Sequence, residues 1–256
     1  MRWGSRLLFL AGSVAVAIFL VWLWQLVADN RLVNPVFLPG PDRAWKALMT
    51  GFSQGDLGTK LLATVERMFW GWLIASLAGA ALGAAIGSSP VLRAYLAPML
   101  EFLRPLPASA TIPVAIAIFG LSDGMVLAVI AFGAMWPVLL ATIHGFATVE
   151  PRLYEVTQAL GFSRAKVIWK VALPSASPDI LAGMRLGLTV ALILSIVCEM
   201  IAGRNGLGNW ILLSARSFRA PDLYAGVILL GALGYATSAA ISMFEQRLLV
   251  WRSRAR

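Results

Sequence analysis

The residue types that usually carry chemistry are scarce in this chain. It has one histidine, His144, and one cysteine, Cys198. A lone histidine with no Cys, Asp or Glu nearby does not make a zinc site, and one cysteine can form neither an intrachain disulfide nor a thiolate cluster. The chain also lacks H-E-x-x-H and phosphate-binding G-x-x-x-x-G-K-[ST] patterns. We therefore expect no catalytic residue, no metal site and no cofactor, which argues against a membrane-embedded enzyme.

The polar stretch with the clearest pattern is residues 150–179, where polar and apolar side chains are mixed at the spacing of a helix. Pro151 can open a short helix that runs to Leu160, Gly161 allows a turn, and Ser163 can cap a second helix. Residues 177–179 read Ser-Pro-Asp, which is typical of a helix start. We therefore predict two short helices and then a membrane helix that begins near Ser177.

This stretch resembles the loop of permeases from binding-protein-dependent ABC importers, which reads E-A-A, three residues, G, nine residues and I-x-L-P. The spacing is kept here, although Val156 and Thr157 replace the two alanines and Val171 replaces the isoleucine. The matching positions are Glu155, Gly161, Val171, Leu173 and Pro174. An ordinary interfacial helix-turn-helix is the alternative reading.

Further short motifs resemble the sulfonate, nitrate and taurine branch of that family and extend the resemblance over nearly the whole chain. They are residues 38–39 (Leu-Pro), 104–107 (Arg-Pro-Leu-Pro), 183–186 (Gly-Met-Arg-Leu), 199–201 (Glu-Met-Ile) and 206–208 (Gly-Leu-Gly).

The resemblance implies a type I ABC importer permease fold and a set of partners. The loop would be a coupling helix docked in a groove of an ATPase subunit, and its candidate residues are Glu155, Ala159, Gly161, Val171, Leu173 and Pro174. Two ATP-binding subunits, an extracytoplasmic solute-binding protein and a second permease copy, forming a homodimer, would complete the importer. The solute would be a small molecule, often an anion such as a sulfonate, nitrate or taurine.

Composition independently places the chain in a membrane. Hydrophobic residues make up 59% of the sequence and charged residues 13%, whereas soluble domains are about 45–50% apolar. The formal net charge is +9, but the basic residues are scattered between apolar runs rather than interleaved with aromatic residues on one face. We therefore expect contact with membrane lipid and no nucleic-acid partner.

Six apolar runs are long enough to cross about 30 Å of hydrocarbon. They are residues 7–28, 68–92, 105–122, 124–149, 180–202 and 223–244. The run 105–122 contains Pro105, Pro107 and Pro113 and should form a broken or tilted helix. These runs predict an all-α polytopic protein with six transmembrane helices.

Charge distribution predicts the orientation. With the N-terminus inside, thirteen of the 21 Lys and Arg residues fall on the cytoplasmic side. We expect both termini in the cytoplasm of a multi-pass protein of the bacterial inner membrane. The run 7–28 is longer than the ~7–15 apolar residues of a signal peptide, so we interpret it as a retained first span.

The runs divide the chain into residues 1–61, with the first span and an outer interfacial segment, and residues 62–256, a core of five spans. An amphipathic helix is predicted at 44–52, beginning beside Asp42. In the second span, Gly79, Gly83 and Gly87 recur at four-residue spacing. Small residues at this spacing predict close packing against another helix.

Two polar residues within the runs are candidates for the translocation path, Glu199 and Thr111. Acidic residues inside spans usually serve pathways, packing networks or partner charges. An interfacial position is the alternative for Glu199, because a helix would place it ~21 Å from Arg185. For the function of the whole chain, a secondary transporter or channel is the alternative class, but paired broken-helix signals in two halves are not evident.

Overall fold

The structure is a computed structural model that describes residues 3–103 and 105–248. All regular structure in these residues is helical, as the composition predicts. The helices are α1 (Trp3–Asp29), α2 (Pro41–Ser53), α3 (Leu57–Gly87), α4 (Pro90–Leu103), α5 (Ile112–Phe119), α6 (Asp123–Ala147), α7 (Pro151–Ala159), α8 (Arg164–Val167), α9 (Leu173–Ala202), α10 (Leu207–Arg216) and α11 (Ala220–Leu248).

The centre of the bundle consists of α3, α6 and α9, which pack against one another along most of their lengths. The glycine face of α3 lies directly on α6. A Cβ atom at Gly79 would lie 2.9 Å from the Met135 carbonyl oxygen, and one at Gly83 would lie 2.8 Å from the Leu139 carbonyl oxygen. Only a hydrogen at these positions allows the two backbones to come so close. The predicted close packing of this face is confirmed.

Within residues 3–103 and 105–248, five helices are long and apolar enough to span a membrane, and a bent helix pair can supply a sixth span. The bent pair consists of Pro90–Leu103 and Ala108–Phe119, which meet at 85°. The predicted break is present, as a broken span or a re-entrant loop, and the first helix of the pair begins at Pro90, before the apolar run at 105. Of the motif 104–107, Arg104 lies outside the described residues.

The fifth span does not begin near Ser177, and this prediction was wrong. A single helical run extends over Arg164–Ala202 and includes residues 177–179. Pro178 lacks the N–H that would bond to the Pro174 carbonyl, and the Ser177 hydroxyl donates to that carbonyl at 2.8 Å instead. Residues 177–179 therefore lie inside a helix, where the Ser177 hydroxyl replaces the donor that Pro178 lacks.

A turn of π-helix, Ile168–Ala172, joins α8 to α9. The Leu173 N–H donates to the Ile168 carbonyl, five residues earlier. This change of register falls just before Pro174, where an α-helical hydrogen bond is unavailable. The second helix predicted in the 150–179 stretch is therefore continuous with the span rather than separate from it.

The amphipathic helix predicted at 44–52 is present as α2. Ala44 and Leu48 are buried, whereas Trp45 and Met49 are exposed, and α2 packs against α11. The Trp24 indole of α1 donates to the Pro39 carbonyl at 2.9 Å and so ties the first helix to the segment before α2.

Replacing Gly83 by Ala should destabilise the bundle, because the new methyl group would lie 2.6 Å from the Thr142 Cβ. Overpacking of this kind typically costs about 1–3 kcal/mol. The thermal midpoint of the purified protein in detergent measures the effect. Gly231→Ala is the matched control, since a Cβ there meets nothing within 4 Å. Equal midpoints for the two variants would contradict the close-packing assignment.

Candidate functional site

The segment most unlike an ordinary connection is residues 150–174, which we call the docking segment. Its first part, α7, begins with Pro151 at a position where a missing N–H costs nothing. The helix ends at Ala159 and is followed by a turn at Gly161, whose φ is 65°. The Phe162 N–H donates to the Thr157 carbonyl and the Gly161 N–H to the Gln158 carbonyl, each at 3.0 Å. This Schellman arrangement favours glycine because other residues are strained at positive φ.

The chain then re-enters a helix at once. The Ser163 hydroxyl accepts a hydrogen bond from the Lys166 N–H at 3.4 Å and caps α8. Because α8 continues through the π turn into α9, the docking segment is connected to the far end of the bundle by one helical run.

One side of the docking segment is anchored to the bundle. Thr157 is buried, and its hydroxyl donates to the Tyr154 carbonyl at 2.8 Å. Tyr154 packs against an apolar cluster that includes Phe146, Val149 and Ala176. Burial raises the pKa of the Tyr154 phenol, and the nearby positive charge of Arg93 lowers it in part. The segment therefore rests on the ends of α6 and α9.

The other side presents large apolar side chains to solvent. The exposed fractions are 54% for Val156, 64% for Leu160 and 70% for Trp169. Glu155 and Ala159 are exposed on the same helix, and the described residues offer Glu155 neither an ion pair nor a hydrogen bond. Apolar side chains left uncovered in this way are typical of a protein interaction surface.

The structure divides the six loop residues predicted from sequence between two faces. Glu155, Ala159, Gly161 and Pro174 are exposed, whereas Val171 and Leu173 are partly buried and pack against the apolar cluster. Sequence reasoning missed Leu160 and Trp169, because an apolar residue at helical spacing is more often a core residue. Glu155 lies in the middle of α7 and so does not reach the start of its own helix.

At the opposite end of the bundle lies a polar cluster, made of Thr64, Arg67, Asp123, Glu199 and Arg204. At its centre the Glu199 side chain is fully buried. Its carboxylate accepts hydrogen bonds from the Thr64 hydroxyl at 3.0 Å, the Arg67 guanidinium at 3.1 Å and the Gly208 N–H at 2.9 Å. All three donors come from other helices or loops, so the carboxylate joins α3, α9 and the start of α10.

The outer part of the polar cluster is open to solvent. The Arg67 Nε donates to the Asp123 carboxylate at 3.1 Å, and Arg204 donates to it through Nε at 3.2 Å and Nη2 at 2.9 Å. The Asp123 side chain is 58% exposed. The pairs around Asp123 are therefore weaker than those of the buried carboxylate.

The glycines of the 206–208 motif allow the backbone to approach this cluster. A Cβ atom at Gly206 would collide with the Glu199 carboxylate, and one at Gly208 with the Ile196 carbonyl. The Leu207 N–H donates to the Thr64 hydroxyl at 2.9 Å. Sequence reasoning found Glu199 and the 206–208 motif but not their partners on α3 and α6, which are ordinary polar residues near the ends of distant helices.

The two residues suggested for the translocation path do not lie together. The Thr111 hydroxyl donates to the Ala108 carbonyl at 2.6 Å within a 3₁₀ turn before α5. The Glu199 carboxylate is enclosed by the polar cluster in this conformation. Their place on a solute path stays a prediction. Arg185 is exposed on α9 and donates to the Ser238 hydroxyl at 3.3 Å.

Known proteins share this architecture. In the solved structure titled "Inward facing conformations of the MetNI methionine ABC transporter", a chain superposes with a TM-score of 0.66 at 18% identity, over 75% of this chain and 95% of that chain. At this identity the likeness supports the fold alone.

Sequence comparison identifies the family. The taurine transport system permease protein TauC of Escherichia coli (strain K12) is 32% identical over 93% of this chain and 89% of its own length. The nitrate import permease protein NrtB of Leptolyngbya laminosa is 27% identical over 92% of this chain and 86% of its own length. The family model described as "Binding-protein-dependent transport system inner membrane component" matches residues 71–254. This chain therefore belongs to the inner-membrane permease components of binding-protein-dependent ABC importers.

Proposed function

We propose that this permease imports a small anion, and that its docking segment is the surface through which an ATPase subunit drives it. The observation that carries the docking proposal is the set of exposed apolar side chains on α7, at its C-terminal end and in the π turn. Val156, Leu160 and Trp169 leave apolar area uncovered beside an unpaired carboxylate at Glu155. A groove on a partner would cover the apolar side chains, and a cation on its rim would pair with Glu155.

The connections of the docking segment support the same role. A force on α7 acts on α6 and α9 through the cluster around Phe146 and Ala176. It also passes along the helical run Arg164–Ala202, which has no helical break between the segment and the far end of the bundle. Closure of two ATPase subunits could thus bias the permease between its inward-open and outward-open states.

The complete importer would contain two copies of this chain, two ATPase subunits and an extracytoplasmic solute-binding protein. We propose that the solute path runs between the two copies. We propose that the docking segment and both termini lie in the cytoplasm, which the excess of Lys and Arg in alternate loops supports. We propose Thr111 as a polar residue that lines the path and Glu199 as a buried residue at its border.

The solute class rests on the relatives. TauC is named for taurine and NrtB for nitrate, and each of these compounds carries a compact anionic group. We propose a sulfonate, nitrate or taurine-like solute for this chain, with selection made largely by the binding protein.

Gly161→Val should uncouple the permease from its ATPase, because a β-branched residue is strained at a φ of 65°. A Cβ at this position meets nothing within 4 Å, so the strain comes from the backbone alone. We expect lower ATP-dependent uptake of labelled taurine or nitrate at normal membrane abundance. Gly161→Asn is the matched control, since Asn tolerates positive φ. Equal uptake by both variants would contradict the proposed role of the turn.

Glu155→Lys should weaken recovery of the ATPase with the tagged permease without lowering the permease's thermal midpoint, since Glu155 is exposed and unpaired. Glu66→Lys makes the same charge change on an exposed residue of α3 and should leave recovery unchanged. Co-purification followed by an ATPase assay measures both variants. Loss of the ATPase from both, or from neither, would count against docking at α7.

The proposed orientation can be measured separately. Leu160→Cys in a Cys198→Ala background should resist a membrane-impermeant maleimide in intact cells and react in inverted vesicles. Ile201 is 53% exposed at the opposite end of the bundle. Ile201→Cys should therefore react in intact cells and resist the maleimide in inverted vesicles. The inverse result would place the docking segment outside the cell and exclude a cytoplasmic ATPase partner.

A further inference from the structure

The polar cluster lies at the end of the bundle farthest from the docking segment, yet its central residue Glu199 and the second half of the docking segment belong to the same helical run. This run ends at Ala202, and Gly203 then adopts a left-handed conformation with φ of 62°. The chain turns there and passes Arg204 before it returns against Glu199 at Gly206 and Gly208. The loop after α9 is thereby fixed to the last turn of α9.

We propose that Glu199 and Arg67 are positioning residues for transport: they hold the ends of α3 and α9 and the 203–208 loop as one rigid unit. When the ATPase displaces the docking segment, these ends then move together rather than separately. This inference rests on the proposed function. It adds to that function a group of residues, remote from the ATPase, that keeps two helix ends and a loop together during transport.

The buried carboxylate is suited to this task because its acceptor positions are filled from three directions. One oxygen accepts from Thr64 and Gly208, and the other accepts from Arg67. The Arg67 Nη1 also donates to the Asn205 carbonyl at 2.7 Å. If α3 and α9 separated, a charged carboxylate would be left without partners in a water-poor site, which is strongly unfavourable. The helices therefore stay together while larger rearrangements take place.

The exposed layer of the cluster, which consists of Asp123 and Arg204, differs in this respect from the buried layer, which consists of Glu199, Thr64 and Arg67. Asp123 can exchange its arginine partners for water at little cost, because its carboxylate is already largely solvated. A substitution at Asp123 is therefore a control within the same network for a substitution at Glu199. A change at Asp123 removes ion pairs from the surface, whereas a change at Glu199 removes the link between helices.

Glu199→Gln tests the buried layer with almost no change in shape. The glutamine amide must direct its NH₂ group either at the Arg67 guanidinium or at the Gly208 N–H, so one donor faces another donor. Thr64→Val is a second variant that removes a different member of the same layer, the hydroxyl that bridges Glu199 and Leu207. It keeps the proposal testable should the first variant fail to fold.

The experiment is amide hydrogen exchange on the permease–ATPase complex, with and without a non-hydrolysable ATP analogue. In the native chain we expect the 203–210 peptide to stay protected in both nucleotide states. In Glu199→Gln and Thr64→Val it should exchange roughly tenfold faster, and the rate should depend on nucleotide. Asp123→Asn should behave like the native chain.

A role in static stability alone would give faster exchange that is identical in both nucleotide states, and this result would overturn the proposal. Equal effects in Asp123→Asn, or unchanged exchange in both buried-layer variants, would overturn it as well. Peptides from 150–174 report on the proposed function in the same experiment. If the ATPase does not protect them, docking at this segment is wrong, whatever happens at 203–210.

Discussion

Close contact between the backbones of α3 and α6 is the constraint on which the rest of the structure depends. In a lipid environment, helices gain little from burying apolar side chains against one another, so association relies on dense packing and polar contacts. Glycines on α3 bring Val138 and Thr142 of α6 against its backbone. Gly183 and Gly187 of α9 approach α6 in the same way on a neighbouring face that shares Val138. The three-helix centre is therefore held at a fixed spacing, and everything outside it is attached to that centre.

At two prolines of the docking segment and α9, other groups compensate for the lost hydrogen bond. Ser177 supplies a donor to the carbonyl that Pro178 leaves free, and the π turn before Pro174 changes the register in advance. Between α4 and α5 the chain bends by 85° instead. The same residue type thus gives a continuous span in one place and a broken one in another, depending on the neighbouring hydroxyl and turn.

Sequence reasoning predicted what depends on local pattern and failed where distant contacts decide. Apolar runs predicted the spanning helices, four-residue spacing predicted the glycine contact, and Gly161 predicted the turn after α7. The predicted start of the fifth span was wrong because Ser-Pro-Asp fits both a helix start and a helix interior in which a serine hydroxyl replaces the donor that proline lacks. The polar cluster could not be found, since Thr64 and Glu199 are 135 residues apart in the chain and neither reveals its partner by type alone.

The length of the helical run Arg164–Ala202 has a geometric consequence. Its 39 residues extend over ~58 Å at 1.5 Å per residue, nearly twice the ~30 Å of the hydrocarbon core. A rigid run of this length, held by packing in the three-helix centre, could act as a lever. A tilt of only about 5° over such a length displaces one end relative to the other by ~5 Å. Small movements of an attached motor would thus be enlarged by the helix itself, without any hinge inside it.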